Sequence, residues 1–338
     1  MTNTEYIGMT SLQNLQLHVH VIGYYPQGEC ILVILYDKAK RVVVKSILID
    51  CFVSKNQEDQ LRKKLDEYGI SAKTPLDMII WTHPDKDHSE GLGEIVARYT
   101  NKKTFMVLPD GFFLKTLKRA GLKLTIQLLL SLFRNGFSME RVNTSTHRKN
   151  SEEYMSLQFD DGVMDSIEYS VEILTPNGAQ VIRNVDGRRR FYKNDISISM
   201  IIHCGELDLY FGGDVENDAI KMVPDYKMSK VCFVKIPHHA SDTSTELYEV
   251  IKRNISLKKL NNEDLIDITA VSTCFHIGRK PAPHISVLRE YKPISRELCL
   301  TDNQRPREDK YGVCSFVYDV AARDYESCYE GDAGIWEE

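Results

Sequence analysis

The sequence predicts an α/β fold, an αββα sandwich of two mixed sheets packed between helices. Three observations predict it: strand-like runs open the chain, helical runs follow them, and the second half repeats that order. From Leu15, "LQLHVHVI" puts Leu15, Leu17, Val19 and Val21 on one face, the period of two expected of a strand with one buried side. "CILVILY" and "RVVVKSILID" follow after short turns, so three early strands make an antiparallel meander. "NQEDQLRKKLDEYG" reads as a polar-faced helix stopped by Gly69, and "LDMII" as a buried strand. Beyond it, "SEGLGEIVARY" reads as a helix and "TFMVLP" as a strand.

From about 110 to 165 the pattern changes. "GFFLKTLKRAGLKLTIQLLLSLFRNGF" is strongly apolar and helical, and "NTSTHRKNSEEY" is polar, so this stretch is expected to be a helical insertion in a single domain spanning 1–338. Its Leu-rich part, 122–133, is shorter than the ~20 residues of a membrane span and reads as a buried or interface helix. That makes it a candidate surface for an oligomer or a protein partner. The second half carries the strands "SVEILTP", "DISISMIIHC", "LDLYFGGD", "KVCFVKIPHH" and "DITAVSTCF", with helices near 215–223, 242–253 and 283–291. "RNVDGRRRFYKND" and "SLKKLNNEDL" look like linkers, though neither looks like a domain boundary.

Composition narrows the function classes. A formal charge of −5 gives no global attraction to phosphate polymers, so any nucleic-acid contact must come from a local basic patch. Eight cysteines are spread without a C-x-x-C pair and mostly sit in apolar runs, which points to a reducing cytoplasm. "MTNTEYIGMTSLQNL" lacks the basic-then-apolar order of a signal peptide. A cytoplasmic protein with no membrane segment is expected.

"WTHPDKDHSEGL", at 81–92, sets two histidines and two aspartates in six consecutive positions, where a strand ends and a helix starts. Imidazole nitrogen and carboxylate oxygen are ligands of hydrolytic divalent metals, and one loop can fold His83, Asp85, Asp87 and His88 around an ion. The bland alternative is a solvated acidic turn with Asp87 or Ser89 capping the next helix. Further candidates stand at later strand ends: Asp214 in "LYFGGD", His238 and His239 in "VKIPHHASDTS", and His276 and His284 in "CFHIGRKPAPH". Asp50 closes "SILID".

Together these segments resemble the metallo-β-lactamase superfamily, in the branch that contains ComEC nuclease domains and phosphorylcholine esterases. There the segments read roughly S-H-P-D-x-D-H-x-G-G-L, G-D, V-P-H-H-G-S and a late H-P; here they read "THPDKDHSEGL", "GGD", "IPHHASDTS" and "APH", with "LTD" at 300–302 fitting the closing strand. The resemblance covers nearly the whole chain, about 15–320, and implies the αββα fold. It also implies that His83, Asp85, Asp87 and His88 are ligands, that Asp214 bridges two metals, and that one of His238 and His239 is a ligand, with His239 favoured. On the same resemblance His238 is a proton donor or a supporting group, and Asp50 orients the loop by accepting hydrogen bonds. Asp85 stands where most of the superfamily has histidine, which shifts the expected ions from zinc toward manganese or magnesium. No histidine precedes Asp214 at the usual place; Thr175 stands before the proline there, His203 is mid-strand, and His147 lies in the insertion. Ala240 replaces a glycine.

The expected activity is a phosphodiesterase or nuclease using two divalent ions, zinc or manganese, with Asp87 at the metal and His238 or His284 protonating the leaving group. Nucleic acid or a nucleotide is the expected substrate class. In "GRRRFYKN", at 187–194, Arg188, Arg189 and Arg190 stand beside two aromatics and could contact phosphates, the alternative being a solvated loop. A catalytically inactive scaffold that docks a partner, and a thioester or lactone hydrolase, are the competing readings. His18 and His20 share one strand face and could imitate a ligand pair, but a half-exposed face is the simpler expectation.

Overall fold

Alternation in the first strand divides the molecule into layers. The computed structural model describes residues 11–53, 59–110, 127, 131–132, 134, 136–144, 154–158, 164–185, 194–278, 281–303 and 309–337. β1 (Leu15–Tyr24) pairs antiparallel with β2 (Glu29–Asp37), and β2 with β3 (Val42–Ile49). With α1 (Gln60–Glu67) ahead of β4 (Met78–Ile80) and α2 (Leu92–Tyr99) between β4 and β5 (Phe105–Pro109), the strands β4, β5 and β6 (Ser138–Val142) extend this sheet in parallel. The second sheet is built in the same order. β7 (Tyr154–Gln158), β8 (Met164–Thr175), β9 (Ser199–Cys204) and β10 (Leu207–Phe211) are antiparallel neighbours. Then β11 (Val231–Lys235), β12 (Thr269–Ser272) and β13 (Glu297–Leu300) add in parallel.

Helices supply the crossovers that parallel strands need. α3 (Gly178–Val185) follows β8; α4 (Asn217–Ile220), α5 (Glu246–Asn261) and α6 (Ile285–Tyr291) separate the parallel strands of the second sheet. The hairpin of β14 (Tyr311–Asp319) and β15 (Asp324–Gly331) returns to the first sheet beside β1, and β16 (Gly334–Ile335) pairs with β13.

Each strand divides its apolar side chains between two cores. Leu15, Leu17, Val19, Val21, Val33 and Ile49 share a cluster with Met200, Ile202, Phe211, Phe233 and Val271 of the other sheet. Side chains on the opposite faces of these strands, Ile22, Leu32, Ile34 and Ile79, pack with Leu61, Leu65, Ile95 and Tyr99 of α1 and α2. On the second sheet Ile201, Tyr210, Val234 and Ala270 pack with Leu247, Ile251 and Leu288 of α5 and α6. The chain is therefore an α/β protein, with two mixed sheets of eight strands each among the described residues, and helices. Among the described residues no helix is long and apolar enough to cross a membrane.

Several elements depart from the sequence expectations. Within the insertion expected at 110–165, residues 127, 131–132 and 134 are helical, but 138–142 and 154–158 are strands that extend the two sheets. The insertion is thus not wholly helical, because its alternating end finds a sheet edge to pair with; 111–126, 128–130, 133, 135, 145–153 and 159–163 lie outside the described residues. "SLKKLNNEDL" is no linker: its first half forms the last turns of α5, with Glu246 and Glu249 in the first turn and Lys258 and Lys259 in the last, the arrangement the helix dipole favours. The helix expected at 215–223 is only the short α4.

His18 and His20 are held by one hydroxyl. Tyr68 Oη lies 2.6 Å from His18 Nδ1 and 2.8 Å from His20 Nε2, and His20 Nδ1 meets Ser315 Oγ at 2.8 Å. His18 is half-buried as the strand-face reading expects, but His20 is buried. Burial lowers the pKa of His18 to about 4 and, with help from Lys64, that of His20 to about 3. Below pH ~6.5 the unfolded chain takes up protons that the folded one refuses, so stability from these residues is full above that pH and is lost as pH falls. Replacing His20 by Gln should remove about one proton from the pH slope of unfolding free energy between pH 4.5 and 6.5, measured by urea melts. An unchanged slope would show that His20 is not buried in its neutral form.

Candidate metal centre

The parallel strands of both sheets deliver their carboxyl ends to one rim, where α/β sheets usually hold ligands. From the first sheet, β3 runs into Asp50 and β4 into Thr82 and His83, followed by Asp85, Asp87 and His88. From the second, β10 leads to Asp214, β11 to His238 and His239, and β12 to Thr273.

Hydrogen bonds decide which nitrogen each imidazole presents. Asp50 accepts from Thr82 N–H (2.7 Å) and from the Thr82 hydroxyl (2.6 Å), and it faces His88 Nδ1 at 2.7 Å, so His88 donates through Nδ1–H. Because the Thr82 hydroxyl has given its proton to Asp50, it accepts from His83 Nδ1–H at 3.0 Å. The same relay operates on the second sheet. The Thr273 hydroxyl donates to Glu29 and is 2.8 Å from His239 Nδ1, so it accepts from that nitrogen. All three rings therefore turn Nε2, with its lone pair, toward the centre.

There the Nε2 atoms meet carboxylates. His83 Nε2 is 3.4 Å from Asp214 and 3.8 Å from Asp85; His88 Nε2 is 3.3 Å from Asp214 and 3.5 Å from Asp87. His239 Nε2 is 3.2 Å from Asp87 and 3.7 Å from Asp214. Asp87, His88, Asp214 and His239 offer ligand atoms that all lie within 4.8 Å of one another. Of these centre-facing atoms, His83 Nε2, His88 Nε2 and Asp214 Oδ1 are buried without a hydrogen-bond partner. Orphaned lone pairs aimed at a common point fit a cation, and these buried His and Asp residues could hold a metal ion.

Charge makes the same demand. Glu29, Asp50, Asp87, Asp214, His83, His88, His239 and Lys235 are each at most 5 % exposed. Four carboxylates there face one lysine ammonium; two like charges ~4 Å apart repel by about 4 kcal/mol at an effective dielectric of 20. Without a cation, protons must compensate. Burial alone would push the His88 pKa down, but Asp214, Asp50, Asp87 and Glu29 outweigh it and hold it well above its ordinary value. His83 is raised too, against burial and the neighbouring His88, chiefly by Asp214. Burial favours the neutral forms of Asp214 and Asp87, yet His88 and His239 draw Asp214 well below its usual range and Asp87 to about 2. A divalent ion would replace those protons and be coupled to their release.

The backbone bears strain to reach this geometry. His238, His239 and Ala240 have φ of 48°, 53° and 59°, three successive left-handed residues without a glycine. Such conformations cost on the order of 1 kcal/mol each and collect at functional sites. Ala240 thus occupies a conformation that a glycine would adopt freely. On the facing loop Gly213 is at φ 50°, and a Cβ there would lie 2.6 Å from Ser197 Oγ and 2.7 Å from Ile198 O. Only glycine lets Asp214 N–H reach Ser197 Oγ at 3.0 Å.

Of the residues singled out from sequence, His83, Asp85, Asp87, His88, Asp214 and His239 come together, with Asp50 behind them. His238 does not join them: its Nδ1 faces Thr243 Oγ1 (3.0 Å) and Glu216 (3.5 Å) at the rim. His284 begins α6 and is tied to the site loop through its N–H on Ala240 O (3.1 Å). Thr175 is bonded to Ser197 and Ser199, and His203 lies against Asp208, so neither supplies the missing third-motif ligand. His147, Arg188, Arg189 and Arg190 lie outside the described residues. His276 pairs with Asp302 at 2.7 Å beside Cys274, a separate group of possible ligands. Sequence reasoning passed over Glu29, Lys235, Thr82 and Thr273. The one available signal was a charged residue in each of two apolar strands, "ECILVILY" and "KVCFVKI".

Compared with known proteins, the chain matches no family model and no curated sequence. The double replacement Asp87→Ala and His88→Ala should abolish retention of divalent metal by the purified protein, read by elemental analysis. Unchanged stoichiometry would remove these residues from the ligand set.

Proposed function

We propose that this chain is a metal-dependent hydrolase of phosphodiesters with an αββα fold of metallo-β-lactamase type. The observation that carries the reading is the convergence of three Nε2 atoms and Asp87 on Asp214, with every Nδ1–H already committed elsewhere. The three apolar clusters, one shared by the sheets and one under the helices of each, support the sandwich.

Asp87, His88, His239 and one oxygen of Asp214 would hold one ion; His83, Asp85 and the other oxygen of Asp214 would hold a second. A bound divalent pair supplies Lewis-acid activation of water and neutralises charge growing on a phosphoryl group. The residues themselves do the positioning. Asp214 spans both sides of the site and so sets their spacing, while Asp50 and Glu29 keep the imidazoles from turning. His238 is assigned the proton delivered to the leaving oxygen: its side chain is a quarter exposed, and Thr243 and Glu216 hold its Nδ1 side. His284, tied by its backbone to the same loop, is the other candidate for that proton.

Phosphodiesters are preferred to thioesters because the ligand set is rich in oxygen, which suits harder ions such as manganese. No disulfide joins the eight cysteines, which suits a reducing compartment, in keeping with a cytoplasmic role. With manganese, the protein should hydrolyse a chromogenic phosphodiester and at least one of single-stranded DNA, duplex DNA, RNA or a cyclic dinucleotide. Asp214→Ala should silence every substrate while circular dichroism stays unchanged. Cleavage of a thioester or lactone alone would overturn the substrate class, and metal binding without any hydrolysis would favour a partner-docking scaffold.

A further inference from the structure

Behind the metal-facing side of His239 lies an ion pair fully enclosed in the protein. Glu29 opens β2 in the first sheet, and Lys235 closes β11 in the second; they are 1 % and 0 % exposed and meet at 2.8 Å. The ammonium also donates to Ile236 O at 3.2 Å. Glu29 Oε2 accepts from the Thr273 hydroxyl, stands 3.3 Å from His239 Nδ1, and its other oxygen is 3.8 Å from His88 Nδ1.

A buried ion pair is poor value as a stabiliser. Desolvating both ions costs several kcal/mol each, and apolar pairs of similar volume usually serve the fold as well or better. This pair lies in the wall of a site already crowded with carboxylates, where a further negative charge has an evident cost. Its geometry gives that cost a use. Thr273 is a hydroxyl between an imidazole nitrogen and a carboxylate, and it can face either way unless Glu29 claims its proton. With Glu29 ionised, Thr273 must accept from His239 Nδ1, and the Nε2 lone pair has only the centre to face. Lys235 keeps Glu29 charged inside the protein. Asp50 with Thr82 does the same work on the first sheet for His88 and His83.

We propose that Glu29, charge-balanced by Lys235 and acting through Thr273, is the positioning group that fixes the metal-binding tautomer of His239. The inference rests on the metal-dependent reading above but is separable from it. Glu29 touches no substrate, and its effect is on metal affinity rather than on the fold. Losing such an outer carboxylate costs metal sites about 10- to 100-fold in affinity.

The test replaces the pair by apolar residues, Glu29→Leu with Lys235→Met, in the full chain stripped of metal and titrated with Zn²⁺ by calorimetry. Affinity should fall about 10- to 100-fold while the metal-free melting temperature stays equal or rises. The visible spectrum of the Co²⁺-loaded form should change, since one nitrogen ligand is loosened. Glu29→Asp keeps a charge for Lys235 but draws the carboxylate back by one methylene, and should weaken Zn²⁺ in the same direction by less; it carries the test should the double variant fail to fold. Wild-type Zn²⁺ affinity in these variants would overturn the inference and leave the metal site standing. A wild-type protein that binds no Zn²⁺, Mn²⁺ or Co²⁺ would overturn both.

Discussion

Everything at the rim depends on where the protons of three imidazole Nδ1 atoms go. Asp50 takes that of His88 directly and that of His83 through Thr82, and Glu29 takes that of His239 through Thr273. These bonds cost the protein buried carboxylates that nothing apolar can satisfy, so each is enclosed with its donors. Their return is a set of ligand atoms oriented before any ion arrives. Pre-orientation matters because a site that must first turn its rings binds metal less tightly; here only protons remain to be displaced.

Fold and site are coupled through topology. Both sheets follow an antiparallel start with parallel strands, so the carboxyl ends of β3, β4, β10, β11 and β12 can reach one rim, joined there by the start of β2. The first sheet brings His83, Asp87, His88, Asp50 and Glu29; the second brings Asp214, His239, Thr273 and Lys235. Polar contacts cross between the sheets at this end: His88 to Asp214, His239 to Asp87, Lys235 to Glu29. The shared apolar cluster joins the same sheets beneath them. Packing alone would tolerate small slides of one sheet over the other, whereas hydrogen bonds of fixed length do not. The left-handed run at 238–240 is the local strain accepted for this register.

Much of this was legible in the sequence. His83, Asp85, Asp87 and His88 are contiguous, and Asp214 and His239 each follow an apolar strand, so their position announces them. The alternation of β1 to β3 and the repeat of strand and helix in the second half foretold the two sheets. What stayed hidden depends on contacts distant in sequence. Glu29 and Thr273 are 244 positions apart, and neither residue type signals a site until the other is beside it. His20 looked half-exposed because period alone cannot show that Tyr68 and Ser315 close over a strand face. The last turns of α5 resembled a linker because Leu257 and Leu260 are exposed there, so no apolar face marks the helix. The hairpin of β14 and β15 went unread for a related reason: it completes the first sheet from the far end of the chain.

The protonation pattern of the histidines tests the account most directly. Long-range nitrogen–proton correlation spectra of the protein with ¹⁵N-labelled histidine, loaded with diamagnetic Zn²⁺, distinguish a metal-bound Nε2 from a metal-bound Nδ1. His83, His88 and His239, assigned by single replacement, should each show a protonated Nδ1 and a metal-shifted Nε2, while His20 remains neutral and unchanged by the ion. Coordination through Nδ1 at His88 or His239, or a Nε2–H on either in the loaded protein, would contradict the orientation by Asp50 and Glu29 on which the site depends.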